Sequence, residues 1–145
     1  MTAAGLVAVD TSVAVPLLVA NHQHHAQVAA WAQGRKLCLS SHALAETYAV
    51  LTRLPGDARV LASDAVRLID ENFAQPLALS APVARRSHRE CAAAGVTGGA
   101  TYDALVALAA RQHGVPLATR DARARSTYEA IGVATELLST QPAEP

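Results

Sequence analysis

The sequence predicts an α/β fold in which helices cover both faces of a short, mostly parallel sheet. Short apolar runs of strand type alternate along the chain with stretches of helical periodicity, which is the order that βαβ units produce. The 145 residues are enough for one domain with a sizeable core. They are 51% hydrophobic but only 3% aromatic. We therefore expect an aliphatic core, and the many alanines favour helix.

Five segments are predicted as strands, so the sheet is expected to have four or five of them. The first, Leu6–Val9, is a continuous apolar run of the kind that is buried in a parallel sheet. The third is the weakest of the five. In chain order, the segments after the first are Lys36–Leu39, Pro76–Leu79, Val115–Thr119 and Val133–Leu137.

Helical patterns fill the intervals between these strands, and some begin at capping residues. Ser40 or Ser41 can cap the helix that ends at Leu54. Thr101 can cap the helix Tyr102–His113. The other predicted helices are Ser12–Ala20, Ala26–Gln33, Ala58–Asn72, Pro82–Ala94 and Ala122–Ile131.

Charge and cysteine content narrow the class of protein. The 12 basic and 12 acidic residues give a formal net charge of +0, which excludes a strongly basic nucleic-acid binder of the histone type. A local basic patch stays compatible with that balance. Cys38 and Cys91 have neither CxxC nor metal-ligand spacing. They are predicted to be reduced core thiols of a cytosolic protein.

The N-terminal region indicates neither export nor membrane insertion. Asp10 and Pro16 interrupt its apolar run well short of the ~20 residues that a membrane span needs. No segment resembles an export signal. We expect a cytoplasmic protein without membrane contact, with a single domain over residues 1–138 and a flexible tail over residues 139–145.

Four carboxylates are predicted to share one edge of the sheet. Asp10 directly follows the first strand, and Asp121 follows the fourth by two residues. Glu46 lies early in the helix that leaves the second strand, and Asp103 lies in the first turn of the helix that feeds the fourth. Ligands bind at the carboxyl edge of such sheets. The topology alone therefore gathers all four acids there.

Each acid taken alone has a simpler explanation. Asp10 can cap the following helix, Asp103 can interact with the helix dipole, Glu46 can be solvated and Asp121 can serve a turn. Together they would repel one another, since two unit charges ~4 Å apart cost roughly 4 kcal/mol at an effective dielectric of 20. A domain's whole stability is about 5–15 kcal/mol. A divalent cation with oxygen ligands, Mg²⁺ or Mn²⁺, would offset this repulsion.

Three segments resemble the acidic motifs of PIN-domain ribonucleases, most closely those of VapC toxins: "VAVDTS", "LAETYAVLTRLP" and "TYDALVALAARQHGVPLATRD". The resemblance extends from Leu6 to about Leu137. It implies a PIN-like three-layer α/β/α sandwich and a Mg²⁺- or Mn²⁺-dependent endoribonuclease that inhibits translation by cutting structured tRNA or rRNA loops. It also implies a homodimer and a VapB-type antitoxin partner that covers the active edge.

The family's catalytic acids carry over onto Asp10, Glu46, Asp103 and Asp121. We expect Asp10 and Asp103 to be the main metal anchors and Asp121 a further one. Glu46 is expected to orient or deprotonate the attacking water. Many relatives carry another acid shortly after the fourth, whereas this chain has alanines there, Ala122 and Ala124. The sequence is therefore compatible with a site for one metal ion and with a site for two.

Nearby hydroxyls and an imidazole are further candidates. Thr11, Ser12 and Thr119 can position carboxylates or waters around a metal, although capping and turn formation explain these hydroxyls equally well. His42 lies one turn before Glu46. It can approach the site, or it can be an ordinary packed or surface histidine.

Basic residues beside the last acid are expected to contact RNA. Arg120, Arg123 and Arg125 adjoin Asp121 and can follow a phosphate backbone across the active edge. Because aromatic residues are few, phosphate and shape contacts are expected to dominate over base stacking. A second basic cluster fits a solvated helix face and consists of Arg85, Arg86 and Arg89.

Three other functions would use the same residues in different ways. A phosphohydrolase with Asp10 as covalent nucleophile needs a DxDxT motif, but Ser12 occupies the position of its second aspartate. A receiver domain needs an aspartate after the third strand and a lysine after the fifth, whereas the chain's single lysine is Lys36. A catalytically silent PIN-like binding module that acts only with its protein partner stays open.

Overall fold

The computed structural model describes residues 5–138, and its centre is a four-stranded parallel sheet. The strand order is β2-β1-β3-β4. Leu6 is paired with Lys36 across one side of β1, and Ala8 is paired with Leu117 across the other. The strands are β1 (Leu6–Val9), β2 (Lys36–Cys38), β3 (Leu117–Thr119) and β4 (Thr135–Leu137).

Eight helices pack around the sheet in the described part of the chain. A 3₁₀ turn, Gly56–Ala58, separates the third helix from the fourth. The α-helices are α1 (Thr11–Leu18), α2 (His25–Ala32), α3 (Ser41–Thr52), α4 (Ala62–Asn72), α5 (Ala81–Arg85), α6 (Ser87–Ala93), α7 (Ala100–Gln112) and α8 (Ala122–Ile131). The predicted α/β/α arrangement with a short parallel sheet is confirmed.

The core is aliphatic, as the composition predicts. The inner strands contribute Val9 and Leu117, each 0% exposed, and α7 contributes Leu108. Of the aromatic side chains, Tyr128 on α8 is also fully buried. It is the largest of the fully buried side chains. Because it is buried, its hydroxyl needs a polar partner inside the protein.

The predicted third strand, Pro76–Leu79, is wrong. The structure has there a single bridge between Ser40 and Leu77. The Leu77 N–H donates to Leu39 O at 2.9 Å, and the Ser41 N–H donates to Leu77 O at 3.1 Å. The Ala74 N–H also donates to Leu37 O at 2.8 Å, so the two donors are three residues apart although their acceptors are two apart, and this irregular register prevents a ladder. The segment therefore runs along the edge of β2 without joining the sheet as a strand.

Two helix predictions also differ from the structure. The predicted helix Pro82–Ala94 is two helices, α5 and α6, because Arg86 has a non-helical backbone (φ −109°, ψ 9°). Thr101 is not a cap, since α7 begins one residue earlier and its N-terminus has no side-chain capping bond. Of the two candidate serines before α3, the cap is Ser40, whose Oγ accepts from the Ala43 N–H at 3.0 Å.

Both cysteines are free and buried, as predicted. Burial raises the pKa of the Cys38 thiol to about 11, so this thiol is protonated at neutral pH. No helix among residues 5–138 is long and apolar enough to cross a membrane. The expected flexible tail, residues 139–145, lies outside the described residues.

Candidate active site

The four predicted acids line a single cavity at the carboxyl edge of the sheet. Its volume is about 130 Å³. Thr11 and Ser12 also line it, together with Tyr128. A larger groove of about 460 Å³ lies between α3 and α4, but its lining is mostly apolar. The gathering of Asp10, Glu46, Asp103 and Asp121, rather than size, marks the smaller cavity as the candidate site.

Asp10 is the most firmly held of the four acids. It follows β1, caps α1 and is only 7% exposed. Its Oδ1 accepts from the Ser12 N–H at 3.1 Å and from Ser12 Oγ at 2.5 Å. Its Oδ2 accepts from Thr119 Oγ1 at 2.5 Å and from the Tyr128 hydroxyl at 2.7 Å. Four donors therefore stabilise a carboxylate that burial alone would disfavour.

These contacts place two of the three predicted hydroxyls directly on Asp10. Ser12 and Thr119 also lie 3.2 Å apart, so they form one network with the carboxylate. Thr11 lines the cavity without a comparable contact to Asp10 among the described residues. Capping and carboxylate positioning, which the sequence left as alternatives, coexist here because the Ser12 N–H and Oγ bind the same oxygen.

Sequence reasoning missed Tyr128. It lies on α8, far along the chain from Asp10, and is 0% exposed. Burial, and after it the charge of Asp10 and the hydrogen bond to it, raises the pKa of the tyrosine. Its hydroxyl therefore stays protonated and acts as a donor. The only signal available beforehand was its helical position seven residues after Asp121, which places both on the same face of one helix, two turns apart.

Asp121 has a different environment from that of Asp10. It follows β3 and caps α8, and its Oδ1 accepts from the Arg123 N–H at 2.9 Å and from the Ala124 N–H at 3.4 Å. Its side chain is exposed. Because these bonds engage Oδ1, the carboxylate can cap the helix and still face the cavity with its other oxygen.

Glu46 has an imidazole partner. It is exposed on α3, and His42, one turn earlier, has its Nε2 2.7 Å from Glu46 Oε1. The His42 ring also stacks on Tyr102, with centroids 5.8 Å apart and planes inclined by 13°. Of the alternatives for His42, the structure therefore favours a position at the site.

The pKa of Asp103 shows how strongly the clustered carboxylates repel one another. Asp103 lies in the first turn of α7 and is half-buried. Burial contributes most to raising its pKa, and the charges of Asp10, Asp121 and Glu46 contribute less. His42 acts in the opposite direction and lowers the pKa. A cation in the cavity would lower this repulsion.

The donor set suits a hard divalent cation, because the cavity offers carboxylate oxygens without sulfur ligands. Within residues 5–138, however, no three His, Cys, Asp or Glu side chains are gathered closely enough to hold one ion. Mutual repulsion spreads like charges, and the Asp10 oxygens are occupied by donors. Binding would therefore require the carboxylates of Asp103 and Asp121 to move closer to that of Asp10.

The three arginines predicted to contact RNA are placed differently. Arg120 is half-buried, and its Nη1 donates to Ser12 O at 3.3 Å while its N–H donates to Ser12 Oγ at 2.9 Å. Arg125 donates from Nε to Glu129 Oε1 at 2.9 Å. Arg123 is exposed and lies in the chain between Asp121 and Ala124, which line the cavity. Of the three, Arg123 is the most accessible to a phosphate.

Comparison with known sequences gives a consistent family assignment. A family model described as PIN domain matches residues 7–130. Ribonuclease VapC27 of Mycobacterium tuberculosis is 60% identical over 126 residues, which span 87% of this chain and 92% of that protein. Ribonuclease VapC40 of the same species is 44% identical over 136 residues, which span 92% of this chain and all (100%) of its own.

Solved structures show the same fold. The structure of FitAB bound to the IR36 DNA fragment matches with a TM-score of 0.67 at 23% identity, over 95% of this chain and 99% of that one. The crystal structure of Mycobacterium tuberculosis VapC20, described as a sarcin-ricin loop cleaving toxin, matches with a TM-score of 0.66 at 21% identity. That match covers 88% of this chain and 96% of that chain.

Proposed function

The chain belongs to the PIN-domain family, and on that premise we propose that it is a divalent-metal-dependent endoribonuclease, the toxin of a VapC-type toxin–antitoxin pair. The observation that carries the proposal is the gathering of four carboxylates in one cavity at the carboxyl edge. The 60% identity to a protein named Ribonuclease VapC27 supports RNA as the substrate.

Each acid has a role that follows from its surroundings. Asp10 is fixed by its four donors and would hold Mg²⁺ or Mn²⁺ together with Asp103 and Asp121. When bound, such an ion supplies water activation and neutralises charge on the scissile phosphate. Glu46 is exposed and not buried behind other side chains, so it can reach an attacking water and accept its proton.

His42 assists Glu46 in this role. Its Nε2 lies 2.7 Å from Glu46 Oε1, so an imidazole N–H donated to that oxygen leaves Oε2 to face the water. As the water oxygen bonds to phosphorus, the bond from phosphorus to the leaving oxygen breaks. Glu46 takes the water's proton, and the leaving oxygen departs with one RNA fragment and takes a proton from solvent. Ser12 and Thr119 keep the Asp10 carboxylate in place through the reaction.

The remaining features of the proposal concern partners. We expect structured tRNA or rRNA loops as substrates, cleavage of which would inhibit translation in the cytoplasm. Arg123 would contact phosphate because it is exposed, and Arg120 and Arg125, which bond to Ser12 and Glu129, would add positive charge nearby. A VapB-type antitoxin would cover the active edge, and the toxin would form a homodimer. Residues 1–138 would constitute its single PIN domain.

The direct test of the proposed function is cleavage of purified tRNA and rRNA with Mg²⁺ or Mn²⁺, with and without EDTA. We expect metal-dependent cleavage, and a loss of at least about 100-fold in Asp10→Asn because its carboxylate anchors the metal. Asp64→Asn is the matched control, because Asp64 lies on α4, where it pairs with Arg67 at 2.8 Å. The control should cleave like the parent protein.

Thermal unfolding checks that Asp10→Asn is folded. Full cleavage by the folded variant would overturn the role of Asp10. A parent protein that cuts no RNA with either metal, yet binds a co-expressed antitoxin, would instead identify the chain as a silent PIN-like binding module. The antitoxin is sought as a short DNA-binding protein encoded in the neighbouring reading frame, and its co-purification with this chain tests the toxin role.

A further inference from the structure

We propose that the stacked rings of His42 and Tyr102 form a binding site for a nucleobase of single-stranded RNA, next to the phosphate that is cut. The two ring centroids are 5.8 Å apart and the planes are inclined by only 13°. The inference rests on the proposed ribonuclease function and extends it, since it names a base contact in addition to contacts with phosphate.

Tyr102 has an open aromatic face. It is 60% exposed, whereas Tyr128 is 0% exposed and Tyr48 is 38% exposed. The His42 ring lies nearly parallel to the Tyr102 ring at a centroid distance of 5.8 Å, and more than half of the tyrosine surface stays open beside it. Leaving this much aromatic surface in water is unfavourable unless a partner covers it. Bases stack on such faces regardless of their identity, because every base has a π-face.

The stacked pair is held in place before any ligand arrives. His42 Nε2 lies 2.7 Å from Glu46 Oε1, and the His42 side chain is 29% exposed. The imidazole is therefore tethered on one side to the carboxylate and on the other to the tyrosine ring. A preorganised platform loses little side-chain entropy when a base binds.

The pair adjoins the lining of the acid cavity through Glu46 and Asp103, while His42 itself lines a neighbouring cavity of about 400 Å³. Tyr102 immediately precedes Asp103 on α7, and His42 precedes Glu46 by one turn on α3. These two helices pack against each other. A strand whose phosphate enters the cavity therefore carries a neighbouring base past the Tyr102 ring.

Charge favours a base contact at this position. Four carboxylates line the cavity, and they repel the phosphates on either side of the one being cut. A base is uncharged, so stacking adds affinity that the acids do not oppose and that salt does not screen. Stacking also requires an unpaired base, which selects loops and single strands over duplex RNA.

The test measures binding of a short single-stranded RNA that carries one 2-aminopurine. All proteins contain Asp10→Asn so that the RNA stays uncut. We expect Tyr102→Ala to weaken binding about 5- to 150-fold and to abolish the quenching that stacking imposes on the fluorescent base. Tyr102→Phe should retain both signals, because the ring is conserved. Tyr48→Ala, which removes a tyrosine from the α3–α4 groove, is the matched control and should bind like the parent.

Unchanged binding in Tyr102→Ala would overturn the inference, and so would equal losses in Tyr102→Phe and Tyr102→Ala. A parent protein that binds no single-stranded RNA would overturn it as well. These results are distinguishable from failure of the proposed function, which is read from metal-dependent cleavage by the protein with Asp10 intact. If the protein with Asp10 intact cleaves RNA but Tyr102→Ala binds RNA normally, only the proposed base site is contradicted.

Discussion

Asp10 combines a structural role with the proposed metal-binding role. Its carboxylate caps α1 and accepts hydrogen bonds from three side chains that belong to three different elements or their ends. An ionised carboxylate has about four lone-pair sites, and four donors meet this one. A buried charge with this many donors is retained at low cost in free energy. The arrangement therefore fixes the carboxylate itself, and a metal ion that bound it would replace one of these four donors.

Removal of the Tyr128 hydroxyl tests this arrangement at the residue scale. Tyr128→Phe keeps the buried ring but deletes the 2.7 Å bond to Asp10 Oδ2. We expect a loss of about 1.5–3 kcal/mol in unfolding free energy, because the acceptor is charged and buried. Urea denaturation measures it. Affinity for Mn²⁺, followed by electron paramagnetic resonance, should fall roughly 10- to 100-fold.

Tyr48→Phe is the control for the same chemical change at an exposed position, and its effect should stay within about 0.5 kcal/mol. Equal stabilities of Tyr128→Phe and the parent protein would contradict a stabilising bond from Tyr128 to Asp10.

Helix α8 connects the site to the outer edge of the sheet. It begins at the cap Asp121, contains Tyr128 and ends at Gly132, which leads into β4. Gly132 has a left-handed backbone with φ of 94°, and its N–H and that of Val133 both donate to Tyr128 O. Two site residues are therefore positioned by one helix whose end requires glycine.

Substitution of this glycine is the prediction at the scale of the element. Gly132→Ala should destabilise the protein by about 1–2 kcal/mol, because an L-residue with a Cβ is strained at positive φ. Differential scanning calorimetry or urea denaturation measures the change. Gly99→Ala is the matched control, since Gly99 has φ of −61° and no heavy atom within 4 Å of an added Cβ.

The control should be neutral or stabilising by about 0.4–1 kcal/mol, because alanine lowers the entropy of the unfolded chain. A Gly132→Ala protein as stable as Gly99→Ala would show that the end of α8 tolerates another backbone conformation.

The whole molecule carries no net charge but concentrates negative charge at one place. The 12 acidic residues balance the 12 basic ones, yet four acids share one cavity. The pKa of Asp103 is raised, so its ionised form is less favourable in the folded chain than in the unfolded one. Stability therefore falls as pH rises above the ordinary carboxyl range and Asp103 ionises in the folded state. The acid cluster therefore lowers the stability of the metal-free protein.

Neutralising this residue should make the metal-free protein more stable. Asp103→Asn is expected to gain on the order of 1 kcal/mol at pH 7, about 3–5 °C in Tm, since one charge is removed from a partly solvated cluster. The gain should shrink as pH falls toward the ordinary value of 3.8, where the aspartate is itself protonated. Thermal unfolding in EDTA, repeated across pH, measures both.

Mn²⁺ should raise the Tm of the parent protein and should do so less in Asp103→Asn, because one anchor is gone. Asp70→Asn, at an exposed position on α4, serves as the control and should change the Tm little. A loss of stability in metal-free Asp103→Asn at pH 7 would contradict the repulsion described here.

Much of the fold could be predicted from the sequence because its signals are local. The limits of β1 and α8 match the structure, Leu6–Val9 and Ala122–Ile131, since an unbroken apolar run and a cap followed by a terminal glycine define them. The predicted strand Pro76–Leu79 failed because pairing depends on a neighbour, and there the neighbour offers one bridge.

The sequence by itself determined that four acids meet at one edge, because parallel topology places all strand ends together. Only the tertiary structure decided which side chains surround them. Tyr128 contacts Asp10 across 118 positions of sequence, and His42 on α3 meets Tyr102 on α7. Periodicity and caps report on neighbours within a few residues, whereas such contacts depend on how helices pack against each other and on which rotamers that packing permits.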